Sequence, residues 1–242
     1  MSALLKPERL KRYAEIVALL VKYGRSDLVP QSSSILAGRL LKSSETPKAE
    51  ELADDLEKLG PTFIKLGQLL STRGDLLPQP YLEALERLQD HIAPFPYEEV
   101  ERIVSSELGA RISKLFLDFD TQPTAAASLA QVHRATMRDG RAVVVKVQRP
   151  GIRQTIVEDL EALEKVAEFI DAHTEVGKRY EFTNMQADLR QSLLSELDFK
   201  REASNLHTLR KSLREFEDIV IPEPIDDYTT ARVLTMEYIP GR

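Results

Sequence analysis

Lys146 is the first residue whose setting asks for chemistry. It lies in AVVVKVQ, residues 142–148, a β-branched run that favours a strand. Side chains alternate along a strand, so Val143, Val145 and Val147 share one face while Val144, Lys146 and Gln148 share the other. An ammonium on a half-buried sheet needs an anionic partner, unless its stem simply carries it out to water. Upstream, Pro123 to Ser128 is a run of tiny residues, PTAAAS, and small side chains let backbone N–H groups approach a phosphate closely. Downstream, Asp198 and Glu202 are four apart, neighbours on one helical face with Asn205 continuing it. Like charges at that spacing repel, so cations are expected to face them, and Lys146 and Lys65 are the candidates. Glu196 would point the opposite way on a regular helix, so either it serves a different partner or the helix is irregular there. Lys65, Gln68 and Thr72 share a face away from the stripe Leu59, Phe63, Leu66 and Leu70, and Gly67 between them marks a close approach or a helix–helix contact. The bland alternatives are a snorkelling lysine, a solvated acidic face and ordinary helix packing.

Three regions position these groups. Residues 1–48 form a helical basic arm, with six Lys/Arg against three Asp/Glu up to Pro30 and Leu10, Tyr13, Val17, Leu20 and Val21 at helical spacing. Gln31–Ser34 and Ser43–Pro47 punctuate it. The arm is expected to pack on the rest of the protein, or else to lie on a membrane surface. Residues 49–115 read as helix throughout, broken by Pro78, Pro80, Pro94 and Pro96, with helical patterns at 81–89 and 97–108. From Phe116 the period changes. Residues 128–137 and 142–148 form a hairpin across Asp139-Gly140. Helical stretches follow at 152–172 and 183–216, then two apolar strands at 219–221 and 232–239. This order predicts a small antiparallel sheet with helices packed on one side.

Composition narrows the field. The chain has 242 residues, a net charge of −6, no Cys and no Trp. Without cysteine there is no disulfide scaffold, thiolate nucleophile or zinc finger. His91, His133, His173 and His207 lie too far apart for a ligand set. Mild acidity argues against a nucleic-acid partner. No apolar run reaches the roughly 18–20 residues of a membrane span, and no signal peptide is visible, so an intracellular chain is expected.

Taken together, these motifs resemble the UbiB family of atypical, protein-kinase-like proteins, also called ADCK-like, from about Glu50 to Arg242. Lys65-Leu66-Gly67-Gln68 looks like the family's Lys-x-Gly-Gln signature, and Asp75-Leu76-Leu77-Pro78 follows it as in relatives, although Gly74 stands where many would carry proline. Ala125-Ala126-Ala127-Ser128 is similar to the Ala-rich loop that replaces the kinase Gly-rich loop. Val143-Val144-Val145-Lys146 stands where kinases place the nucleotide-pairing lysine. Glu196-Leu197-Asp198 resembles the Glu-x-Asp motif, Glu202 the glutamate of helix C, and Met236 to Gly241 the strand-to-hinge segment.

The resemblance implies an α+β fold: a kinase-like N-lobe over residues 116–242 with inserted helices, preceded by a helical extension over 49–115. It implies ATP or ADP with Mg2+ at Lys146, Glu202, Ala125, Ala126, Ala127, Ser128, Val144, Glu237 and Ile239. Lys65, Gly67, Gln68, Glu196 and Asp198 would form a regulatory gate. The family is linked to ATPase-like chemistry and to ubiquinone or other prenyl-quinone biosynthesis. Implied partners are therefore a nucleotide, a membrane surface or isoprenoid lipid, and quinone-biosynthesis proteins. The implied location is cytoplasmic, peripheral at the inner membrane. No His-x-Asp loop and no Asp-Phe-Gly follow Gly241, so a C-lobe with its catalytic carboxylate and metal ligands is expected to be missing, and the chain to be inactive alone. The alternative is a non-enzymatic module that binds nucleotide, lipid or protein. A small-molecule phosphotransferase ranks last, because it leaves Lys65-Leu66-Gly67-Gln68 unexplained.

Overall fold

The Val-rich run and the Asp139-Gly140 turn do build a hairpin, and the rest of a sheet forms around it. The computed structural model describes residues 7–23, 38–88, 93–216 and 218–241, without side chains for 7–11, 20, 21, 38–47 and 176. Residues 24–37, and with them Gln31–Ser34, lie outside the described residues, as do the side chains of Leu10, Leu20 and Val21. The chain divides into two compact units: Met1–Asp90 with Gln154–Leu193, and His91–Arg153 with Leu194–Arg242.

The first unit is helical. It contains α1 (Pro7–Tyr23), α2 (Gly38–Leu59), α3 (Pro61–Ser71), α4 (Gln79–Glu86), α7 (Ile152–His173) from Gln154 on, α8 (Glu175–Tyr180) and α9 (Phe182–Glu196) as far as Leu193. Helix α2 runs straight through Ser43–Pro47, which the sequence pattern marks as punctuation. Of the expected stripe on the arm, Tyr13 packs against the core, but at the next turn Ile16 (1 % exposed) takes the inward position in place of Val17 (49 % exposed). Ile16 and Tyr23 join Leu52, Leu56, Phe63, Ile64 and Tyr81 in one core. A charge sits at its edge. Arg12 donates from Nε and Nη2 to the two oxygens of Asp159 (2.6 and 2.8 Å), and Nη2 also reaches the carbonyl of Leu59 at 2.7 Å. The Thr62 hydroxyl donates to Asp159 at 2.7 Å, and the Asp159 hydrogen bond holds the Arg12 guanidinium above its ordinary pKa.

The second unit holds the sheet, with α5 (Tyr97–Leu108), α6 (Ile112–Leu115) and α10 (Phe199–Ser212). Its strands are β1 (Phe116–Phe119), β2 (Ala125–Ala126), β3 (Ala130–Met137), β4 (Ala142–Gln148) and β5 (Val233–Glu237). All pairings are antiparallel, in the order β1-β3-β4-β5 with β2 also on β3. Gly140 at φ +89° supplies the left-handed turn that joins β3 to β4. Residues 219–221 form no strand; just beyond them Pro224 makes an isolated bridge to Met236 of β5. Helices cover both faces rather than one. Val100, Ile103 and Val104 of α5 pack with Val143, Val145 and Val147, while Phe199 and Ala203 of α10 pack with Ala130 and Leu234 on the opposite face. The apolar run in β4 has the composition of a strand buried on both faces.

Strand β3 carries an inward polar pair. Gln131 Oε1 accepts from the amide of Phe95 (2.9 Å), which fixes Nε2 as the donor, to the Phe95 carbonyl (3.3 Å) and to His133 Nε2 (2.9 Å). His133 Nε2 is therefore the bare nitrogen, and Nδ1–H donates to the carbonyl of Asp120 at 2.8 Å. His133 is fully buried, stacked on Phe119 at 5.4 Å, and burial lowers its pKa below 6.5. An unfolded chain binds that proton more readily, so stability from this site is complete above about pH 6.5 and falls as the pH drops toward the folded pKa. We expect the melting temperature to decline on acidification through that window and His133→Gln to flatten the decline; an unchanged slope in the variant would count against this assignment.

Candidate functional site

The face of β4 that carries Lys146 holds some of the expected binding residues and not others. Register places Ala125 opposite Val132, Val132 opposite Lys146, and Lys146 opposite Leu234, one row across the sheet. On the same face Val144 pairs with Met236, whereas Val143 pairs with Glu237 on the opposite face of the sheet, so the side chain of Glu237 lies away from Lys146. Lys146 Nζ donates to both oxygens of Glu202, at 2.7 and 3.0 Å, and lies 4.8 Å from the ring centre of Phe199. Phe199, Ala203, Ala130 and Leu234 make the apolar floor beneath. The ammonium is thus held from one side by a carboxylate and backed by an aromatic face, so the lysine points in one direction rather than sampling several.

The Ala-rich segment is a tight turn. Ala127 N–H donates to the Ala130 carbonyl (2.8 Å) and Thr124 N–H to that of Val132 (2.8 Å). Ala125 is exposed and Ala126 and Ala127 half-buried, but Ser128 is fully buried and its hydroxyl has no hydrogen-bond partner. The alanines and the backbone, not the serine side chain, thus form the outer surface of this turn. At the far edge, Glu237 N–H donates to the Glu223 carbonyl, Tyr238 N–H pairs with Ala142, and Ile239 is half-buried.

The helical segment 183–216 is corrected by the structure. It breaks at Leu197-Asp198 into α9 and α10, and Asp198 is the N-cap of α10, accepting from Lys200 N–H at 3.1 Å. Asp198 and Glu202 are one helical turn apart, Glu202 N–H donating to the Asp198 carbonyl at 3.2 Å, but their side chains part: the first satisfies an open helix end while the second reaches Lys146. Glu196 ends α9, so the irregular-helix alternative holds. Two residues on β4 and beyond it fix this corner and were not singled out from the sequence. Gln148 donates to the carbonyl of Leu197 at 2.9 Å, inside Glu196-Leu197-Asp198. Arg149 ties the Ala-rich turn to the chain entering α5. Gln148 had a visible signal, since it shares the face of Lys146; Arg149 had none.

In the helical unit, Gly67 and Gln68 both grip Leu88. A Cβ on Gly67 would stand 2.3 Å from Leu88 Cδ1, 3.1 Å from Leu56 Cδ1 and 3.4 Å from Leu85 Cδ2, while Gln68 Nε2 donates to the Leu88 carbonyl at 3.1 Å. Gly67 is a packing glycine for α3 against α2 and α4. Gly67→Val is expected to destabilise this unit by about 2 kcal/mol through overpacking, read as a lower urea midpoint at constant slope; an unchanged midpoint would contradict the packing. Lys65 is half-buried on α3 in this unit, whereas Glu196 and Asp198 belong to the sheet unit.

Among the described residues no helix is long and apolar enough to cross a membrane, and no group of three or more His, Asp or Glu is placed to hold a metal ion.

A lysine on a strand of a small antiparallel sheet held by a glutamate on a helix packed against that sheet, here Lys146 and Glu202 of α10, is a pairing that protein kinases also use. The profile of the ABC1 atypical kinase-like domain matches residues 87–242. The chain belongs to that family, the UbiB/ADCK-like atypical kinases. It is 39 % identical over 236 residues to "Probable protein kinase UbiB" of Cellvibrio japonicus, covering 95 % of this chain and 43 % of that protein. It is 40 % identical over 200 residues to "Protein ACTIVITY OF BC1 COMPLEX KINASE 7, chloroplastic" of Arabidopsis thaliana, covering 83 % and 29 %. Among solved structures, the complex of Rv3197 with erythromycin from Mycobacterium tuberculosis aligns at TM-score 0.56 and 26 % identity, over 85 % of this chain and 51 % of that one. The chain thus spans less than half the length of these curated relatives.

Proposed function

We propose that the chain binds ATP or ADP with Mg2+ and serves as the nucleotide-binding part of a UbiB-type atypical kinase or ATPase that supports ubiquinone, or another prenyl-quinone, biosynthesis. The observation that carries this reading is the row Ala125, Val132, Lys146, with Glu202 fixing the lysine. It sets a cation in register with a turn of small residues, the two features a polyphosphate requires. Lys146 would pair the phosphates, Ala125–Ala127 and the backbone of Ser128 would cover them, and Val144 with the backbone from Met236 to Ile239 would receive the base. Magnesium, when bound with the nucleotide, would neutralise phosphate charge. Lys65, Gly67, Gln68, Glu196 and Asp198 are the proposed gate, and the quinone pathway enters through the UbiB name of the relatives. Peripheral attachment at a membrane, an isoprenoid lipid and quinone-biosynthesis proteins remain the proposed surroundings.

Titration of MgATP and MgADP into the 242-residue chain, followed by calorimetry and thermal shift, tests the reading. Saturable binding with a raised melting temperature is expected, since a ligand at 100 times its Kd stabilises by about 2.7 kcal/mol. Absence of both signals would overturn it. In the same titration Lys65→Ala should shift the ATP-to-ADP preference; an unaltered preference would remove Lys65 from the gate.

A further inference from the structure

Arg149, just past β4, is a half-buried cation with an unusual set of neighbours. Its Nη2 donates to two carbonyls, Ala93 at 2.9 Å and Ala127 at 3.3 Å, and its own amide donates to the carbonyl of Leu129 at 2.8 Å. The guanidinium lies 5.3 Å from the ring centre of Phe95. Its Nε is buried without an acceptor, and among the described residues no carboxylate pairs with it. The Ser128 hydroxyl, between the two turn carbonyls that Arg149 holds, is likewise buried and unpartnered.

A guanidinium drawn out of water without a counter-ion costs free energy, and an apolar side chain of similar reach would pack on Phe95 without that cost. Two features set the guanidinium apart from such a side chain. It bridges Ala127 to Ala93, next to the Phe95 backbone that Gln131 clamps on both its amide and its carbonyl, so the turn is fastened to a fixed point. It also leaves an uncompensated positive charge at the Ala-rich turn, where charge focused by low-dielectric surroundings attracts anions. Burial lowers its pKa, but from a value so high that it stays charged.

We propose that Arg149 is a positioning residue for the Ala-rich turn and also lends it a positive charge, making the turn selective for the phosphate chain of a nucleotide rather than for its nucleoside. This rests on the nucleotide reading above and assigns a residue and a selectivity to the same site.

The test uses the 242-residue chain and the variants Arg149→Met, which keeps the stem, and Arg149→Lys, which keeps a charge but not the two-carbonyl fork. Titrations of MgATP, MgADP, AMP and adenosine are run beside amide exchange at Ala127 and Ala130. In Arg149→Met, MgATP affinity should fall about tenfold, the loss should shrink from ATP to AMP, and adenosine binding should stay within about twofold. Exchange in the turn should quicken. Arg149→Lys should recover affinity but not exchange protection. Equal losses for adenosine and ATP, or no loss in either, would overturn the proposal. If the native chain binds none of the four, the nucleotide reading fails, and exchange alone then decides: unchanged protection in Arg149→Met would overturn the positioning role too.

Discussion

Lys146→Ala should sharply weaken nucleotide binding while leaving the fold almost untouched. The two effects separate because of where the ion pair sits. The side chains of Lys146 and Glu202 are 27 % and 36 % exposed, so solvent screens their attraction and the pair contributes little to stability, under about 1 kcal/mol. A polyphosphate in the same place would lose its charge-assisted partner and would instead meet the unpaired carboxylate of Glu202. Removing one side of such a contact costs about 2–5 kcal/mol, so an affinity loss of at least about 30-fold is expected. Glu202→Gln should give a smaller loss, because the lysine remains but is no longer aimed. Calorimetric titration with MgATP and thermal melting of the same samples provide the check. Native-like affinity in Lys146→Ala would remove the lysine from the proposed site.

The largest expected effect on stability lies in the other unit. Asp159 has a side chain only 2 % exposed, paired to Arg12 through two hydrogen bonds and to Thr62 through a third. Arg12→Met would leave a buried carboxylate with one neutral donor and would strip the Leu59 carbonyl of its partner. Breaking a buried pair from one side costs about 3–5 kcal/mol, a large share of a domain's total stability. The same principle makes the double replacement far milder: Arg12→Met with Asp159→Leu removes both charges and should regain most of the loss. Urea unfolding followed by circular dichroism measures both. A double variant no more stable than Arg12→Met would show that the cluster acts through shape rather than charge.

How much of this could be read in the chain beforehand depended on whether the signal was local. The β4 alternation, the Asp139-Gly140 turn and the helix between Pro96 and Gly109 were legible because period, turn residue and cap all agree there. The break before α10 was hidden: Leu193, Leu194 and Leu197 continue the apolar stripe, and nothing in the spacing says that Asp198 caps a helix end rather than lying on a helix. Strand β1 was invisible because FLDF is too short to display a period. Ile219–Ile221 looks like a strand, but a β-branched run becomes one only if a partner edge accepts it. On α1, neighbouring Ile16 and Val17 compete for the inward position, and only packing against the rest of the unit decides between them. At the site, residue type left Lys146 and Lys65 facing Asp198 and Glu202, and the family resemblance singled out the Lys146–Glu202 pair, whereas Gln148 and Arg149 act on carbonyls, which carry no sequence identity at all.

The three leucines around Gly67 carry a consequence for how this family's sequences can drift. Space at that crossing is shared, so volume gained at position 67 must be surrendered at 88, 56 or 85. Substitutions there should arise as correlated exchanges: relatives with alanine in place of Gly67 should carry a smaller residue in place of Leu88. Gly67→Ala joined to Leu88→Ala should likewise be tolerated better than Gly67→Ala alone. The glycine of the Lys-x-Gly-Gln signature would then be one half of a covarying pair, its partner twenty-one residues further on at Leu88.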